Sequence, residues 1–248
     1  IRLPALLFGA ATVPLLYVLG TRIASRREAV LAAALLTVSY HHVWFSQNAR
    51  GYTMLAFWTV LSGYLLLRAI REQSVRMFVA YGVVVALGIY THLTMIFMVS
   101  AHVLISAWLI TPWARRRLDW ALPVIGFGAG AAATLALYAP LIAEVLNFFL
   151  NRPSRLLGVS TPGWAMEEGL RVLRVGLGGG WPVAVGGLVF VIGLLSYLRR
   201  SPLVFFLFVL PGIMTVIGAL IGRGTMYPRV FFFLIGFALL IVGRGAFV

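Results

Sequence analysis

Apolar residues along this chain come in blocks of near-spanning length, separated by short polar connections. The blocks run over 3–20, 29–45, 51–67, 77–90, 93–111, 121–146, 181–198, 203–222 and 229–243. Each approaches the roughly 20 residues that a helix needs to cross a ~30 Å hydrocarbon core. Residues 77–111 require a decision, because one helix would run about 52 Å at ~1.5 Å per residue. Two short spans turning at Tyr90-Thr91-His92 fit the bilayer and keep the connections alternating between its two sides. The pattern predicts an all-α, polytopic membrane helical bundle of about nine spans, forming a single transmembrane domain over 1–248.

One connection is long. Residues 147–180 are bounded by Asn151-Arg152-Pro153 and Gly178-Gly179-Gly180, so their edges are not helical. Between them Thr161 is placed to cap and Pro162 to open a helix. Met166, Leu170, Leu173 and Leu177 form an apolar stripe, and Glu167, Arg171 and Arg174 line the opposite face. Glu167 and Arg171 stand four residues apart, a favourable spacing for an ion pair. This predicts an amphipathic helix lying on the outer membrane surface.

Composition sharpens the class. With 62% hydrophobic and 10% charged residues, the chain is far from the roughly 25% charge of ordinary domains. A net charge of +14 would suggest nucleic acid in a soluble protein. Here all 20 basic residues are arginine, and 12 of them fall in connections of one parity: Arg22, Arg26, Arg27, Arg68, Arg71, Arg76, Arg115, Arg116, Arg117, Arg199, Arg200 and Arg244. Positive-inside topology accounts for that distribution, makes that side cytoplasmic, and excludes nucleic acid as a partner. Cysteine is absent, which removes disulfides and thiol chemistry. No cleavable signal peptide is evident ahead of the first apolar run, and the opening Ile1-Arg2-Leu3-Pro4 reads as the middle of a longer protein.

Candidate chemistry then lies on the other side. Ser46-Gln47-Asn48-Ala49-Arg50-Gly51-Tyr52 is a polar island between two apolar blocks. Arg50 there opens a span, where free backbone N–H groups and a guanidinium fork favour an anion, with Gln47 and Tyr52 able to orient it. An interfacial anchor explains the same residues. Arg223 and Arg229 bracket the turn containing Tyr227, and Arg229 repeats the geometry of Arg50. Arg171 and Arg174 add cations from the long connection. His41, His42 and His92 sit near outward span ends; His41 and His92 are the candidate ligands should a divalent metal be used, although no His-x3-His spacing exists. His102 reads as a packed polar residue of the interior. Outward carboxylates are Glu144, Glu167 and Glu168, and only Glu144, four residues after Pro140, is placed to face a cavity.

Read in order, Arg2-Leu3-Pro4, Gly9, Tyr17-Val18-Leu19-Gly20, the Arg26-Arg27 loop and Trp44 to Tyr52 resemble the GT-C glycosyltransferases related to protein O-mannosyltransferases and the aminoarabinose transferase of lipid A. Those proteins carry an "RLPS…G…YxLG" span followed by "YSQEARxY". Tyr90-Thr91-His92 resembles their "YTHY" turn, and Tyr227-Pro228-Arg229 their "PRY" entry to a late span. Three departures stand out: Asn48 occupies a position where relatives often have glutamate, Val230 follows Arg229, and the family's catalytic acid belongs to a loop ahead of Ile1.

The resemblance implies a multi-pass enzyme of the inner (plasma) membrane with a site facing the extracytoplasmic side. Its donor would be a sugar on a polyprenyl phosphate, its acceptor a glycan, lipid or protein. Arg50 and Arg229, with Arg223 nearby, would hold the carrier phosphate, and the 161–177 helix would cover the cavity. A carboxylate upstream of Ile1 would act as base. The alternative is a transporter or flippase that uses the same arginines to bind a lipid-linked or anionic substrate without chemistry.

Overall fold

The computed structural model describes residues 2–114, 117–151, 162–221 and 226–248. Among them the chain is helical and contains no strand. The helices are α1 (Leu3–Ile23), α2 (Arg26–Val38), α3 (Tyr40–Ser46), α4 (Tyr52–Glu72), α5 (Val75–Thr91), α6 (Met95–Ile110), α7 (Ala121–Tyr138), α8 (Ile142–Leu150), α9 (Pro162–Leu177), α10 (Gly180–Arg200), α11 (Pro202–Ile221) and α12 (Ile235–Gly245). Short 3₁₀ stretches occupy Ala139–Leu141 and Pro228–Leu234. Arg115, Arg116, Thr161 and Arg223 lie outside the described residues.

Six helices are long and apolar enough to cross a bilayer, seven with α2 and α3 counted as one bent span. The nine expected crossings are reached only by adding α5 and α6, which at 17 and 16 residues are shorter. At ~1.5 Å per residue each extends about 25 Å, a little less than the hydrocarbon core. They part at His92, whose extended backbone ends α5.

The block 29–45 is not one straight helix. α2 and α3 meet at 58°. Ser39 between them takes an extended conformation, and its hydroxyl accepts from the backbone N–H of His42 at 3.4 Å, starting α3 afresh. Ser25 and Ser74 start α2 and α5 in the same way. Hydropathy reads through such a break because both sides of it are apolar.

In lipid there is no hydrophobic force between helices, so close approach depends on small residues. A Cβ on Gly82 of α5 would lie 2.4 Å from the carbonyl oxygen of Gly126 on α7, and Gly130 lies against the same glycine. On α10, a Cβ at Gly193 would stand 2.0 Å from the carbonyl oxygen of Ile241 on α12. That neighbour is backbone and cannot step aside. Gly193→Ala should therefore lower stability by about 1–3 kcal/mol, the usual cost of overpacking, read as a drop in thermal unfolding temperature in detergent. An unchanged unfolding temperature would mean that α10 and α12 do not cross this closely.

The connections sort to two ends. At the first, Arg22, Arg68, Arg71 and Ser201 surround one cleft, Gln73 bonds to the backbone of Arg117 and Asp119, and Arg244 of α12 pairs with Glu28 of α2. At the second, Gly51 abuts Thr91, and His41, Glu168, Tyr227 and Arg229 share a cavity. The alternation expected from the sequence holds at every connection that these contacts join.

The Glu28–Arg244 pair went unread in the sequence. The Arg244 guanidinium Nη1 donates to Glu28 Oε1 at 2.9 Å, with the Arg244 side chain only 13% and the Glu28 side chain only 4% exposed. Ser25 donates to the same oxygen at 2.9 Å, and Arg244 Nε donates to Ser196 on α10 at 3.0 Å. Ser25-Arg26-Arg27-Glu28 is a capping-box spacing, the local sign that fixes Glu28 at the head of α2. Its partner, 216 residues away, has no such sign.

Candidate functional site

The second end holds a cavity of ≈ 750 Å³. Its walls come from α3, α9 and the Pro228–Leu234 turn running into α12. The bend at Ser39 lays α3 so that Tyr40, His41, Trp44 and Phe45 line one side. Phe231, Phe232, Leu234, Ile235 and Ala238 make an apolar base. Tyr227 and Arg229 stand at the edge, with the guanidinium carbon 4.7 Å from the Tyr227 ring centre. Arg229 is exposed, and the described residues give it no carboxylate partner. A cation beside a large apolar hollow suits an amphiphile with a charged head and a hydrocarbon tail.

α9 closes the third wall, and of its apolar stripe only Leu173 lines the cavity. Met166, Leu170 and Leu177 are 66%, 40% and 51% exposed. The face turned to the cavity is Ala165, Glu168, Gly169, Val172 and Leu173. Farther along, a Cβ on Gly176 would stand 2.4 Å from Cε1 of His41. Trp164 meets Tyr227 edge-on at 5.2 Å between ring centres. Gly176 therefore seats this helix against α3, while Met166, Leu170 and Leu177 face outward where lipid can take them. Arg171 pairs with Glu168 and not with Glu167. Its hydrogen bond holds the Glu168 carboxyl below the ordinary carboxylate range, which makes this wall residue a poor base.

Gly176→Val should lift α9 from His41 and open the cavity. Because the chain has no native cysteine, a single cysteine at Trp44 would report this as faster maleimide labelling. Equal labelling rates in the two backgrounds would rule out the seating described.

The polar island sits beside this cavity, not in its wall. Gln47 caps the end of α3 and is exposed, as is Arg50. The sequence put Arg50 at the start of a span; the helix instead begins at Tyr52, with Gly51 as its N-cap at φ 69°, a conformation natural to glycine. Among the described residues no side-chain hydrogen bond joins Gln47, Arg50 and Tyr52. Tyr52 turns inward, its ring between Phe45 (4.8 Å) and His92 (5.4 Å), and Phe45 in turn touches Phe232 of the cavity base at 4.4 Å.

His41 lines the cavity while its neighbour His42 points into the bundle, its Nε2 3.1 Å from the carbonyl oxygen of Gly9. His92 lies away from that cavity wall. Its Nδ1 accepts from the Thr94 N–H at 3.2 Å, and burial lowers its pKa. Among the described residues no group of three acids and histidines is close enough to hold a metal. Glu144 on α8 is exposed and lines neither cavity. Arg174 is exposed near the end of α9, also off the wall. His102 is fully buried, with Nδ1 2.9 Å from the Tyr81 hydroxyl, the packed interior residue that the sequence suggested.

The fold and the cavity together define a multi-pass membrane protein with an apolar site at one end of its bundle and a cation at the site's edge. The family model described as dolichyl-phosphate-mannose-protein mannosyltransferase matches residues 1–143, more than half of the 248, and the chain belongs to that family of GT-C-type membrane glycosyltransferases. No curated protein and no solved structure matched the chain. The match covers the polar island and α3; Arg229 and α9 lie beyond it.

Proposed function

We propose that this protein transfers a sugar from a polyprenyl-phosphate carrier to an acceptor on the extracytoplasmic face of the plasma membrane. The observation that carries the reading is the ≈ 750 Å³ apolar cavity with Arg229 at its edge. Chain carbons of the carrier would occupy the hollow over Phe231, Phe232 and Leu173. Its phosphate would meet the Arg229 guanidinium, which offers a planar fork to two phosphate oxygens. In the transfer, an acceptor oxygen bonds to the anomeric carbon as the bond from that carbon to the phosphate oxygen breaks. The electron pair leaves on polyprenyl phosphate, the acceptor proton passes to a base, and inversion results. A guanidinium at the departing phosphate stabilises charge that grows along this path.

Family membership favours transfer over transport. Arg50, exposed on the turn that follows α3, has a supporting part in this reading, drawing the anion toward the edge. The test is a reconstituted assay of the full-length protein with a radiolabelled polyprenyl-phosphate sugar. Transfer of label to an acceptor is expected, and Arg50→Ala should raise KM for the donor several-fold while kcat holds. Movement of intact donor across the bilayer with no label transferred would replace this reading with a flippase.

A further inference from the structure

The arginine-rich end carries a second, smaller cleft of ≈ 340 Å³. It lies between the last turns of α1 and α4 and the start of α11. Its floor is apolar: Leu19 is fully buried and Val204 is 5% exposed. Three guanidiniums stand over it, from Arg22, Arg68 and Arg71, and all three residues are exposed. Arg68 Nε is bound to Glu72 at 2.7 Å. Among the described residues Arg22 and Arg71 form no hydrogen bond or ion pair. Three cations against one anion leave the cleft with a surplus of two positive charges.

Topology explains why arginines lie at this end, and helix dipoles explain cations in the last turns of α1 and α4. Neither explains why three of them converge over one concave, apolar-floored cleft. α11 begins at Pro202, and while the Phe205 N–H donates to the Ser201 carbonyl, those of Leu203 and Val204, both lining the cleft, have no intrahelical acceptor. The volume falls within the range of ligand sites. We propose that this cleft binds the headgroup phosphate of an anionic membrane lipid, with Arg22 and Arg71 as its ligands. The phosphate answers the two unpaired guanidiniums, and the first carbons of the lipid answer the Leu19 and Val204 floor. A soluble phosphate would satisfy the charge and leave the floor unused. The site stands at the opposite end from the transfer cavity and does not depend on the proposed activity.

The experiment titrates the purified full-length protein in detergent with phosphatidylglycerol, phosphatidylcholine or glycerol 3-phosphate, and counts bound molecules by native mass spectrometry. Saturable retention of phosphatidylglycerol alone is expected. Arg22→Ala/Arg71→Ala should weaken it about thirtyfold, from the attraction each arginine contributes near a membrane surface. Arg199→Ala/Arg200→Ala, the same change of charge at the same end but off the cleft, should leave it unchanged. Equal weakening in both pairs would overturn the site as general surface charge, and equal binding of glycerol 3-phosphate would overturn the lipid as its occupant. If the first pair fails to fold, a photoactivatable phosphatidylglycerol applied to the unaltered protein should label residues 64–72 and 201–204. Labelling confined elsewhere would also overturn it.

Discussion

Arg229→Ala should reduce sugar transfer by about 10²- to 10³-fold in kcat, the loss typical of removing one group that stabilises charge in a transition state. The protein should remain inserted and folded, because Arg229 is exposed and its recorded partner is the face of Tyr227. Arg229→Lys should recover part of the rate, since the charge returns without the two-pronged fork. The measurement is single-turnover transfer from a polyprenyl-phosphate sugar in proteoliposomes. Unchanged turnover in Arg229→Ala would remove this residue from the site and with it the assignment of the cavity to the carrier.

The second large effect concerns stability. Arg244→Ala should destabilise the protein by about 3–5 kcal/mol, because it strands the Glu28 carboxylate in a buried site. Replacing both partners by apolar residues of similar volume, Glu28→Leu with Arg244→Met, should cost much less, since no unpaired charge then remains. Thermal unfolding in detergent separates the two. If Arg244→Ala and the double variant unfold at the same temperature, the ion pair is not what joins α2 to α12.

Much of the bundle was legible because its signals are local. An apolar block near 20 residues has few stable states in a bilayer other than a helix. The turn at Thr91-His92 followed from length alone, and the structure ends α5 there. The grouping of Arg22, Arg68 and Arg71 at one end followed from counting crossings. The ordered motifs pointed to the family that the match over 1–143 shows.

The site was less legible, for reasons visible in three residues. Arg50 and Arg229 looked equivalent, each near the head of an apolar block. Arg229 edges the cavity, whereas Arg50 stands off its wall behind a left-handed Gly51. Glu168 read as part of a solvated face, yet the seating of α9 puts it on the cavity wall beside Arg171.

Sequence by itself determined that this chain is a polytopic helical membrane protein, where most of its helices begin, and which connections share an end. Those properties depend on run length, helix rise and charge asymmetry, all of which act between near neighbours. Only the tertiary structure decided the bend between α2 and α3, the face by which α9 docks, the pairing of Glu28 with Arg244, and which cation borders the cavity. In a bilayer both the lipid-facing and the protein-facing sides of a helix are apolar, so hydropathy cannot rank them. What ranks them is the fit of small residues such as Gly176 and Gly193 against particular backbone and ring atoms, and those atoms come from distant parts of the chain.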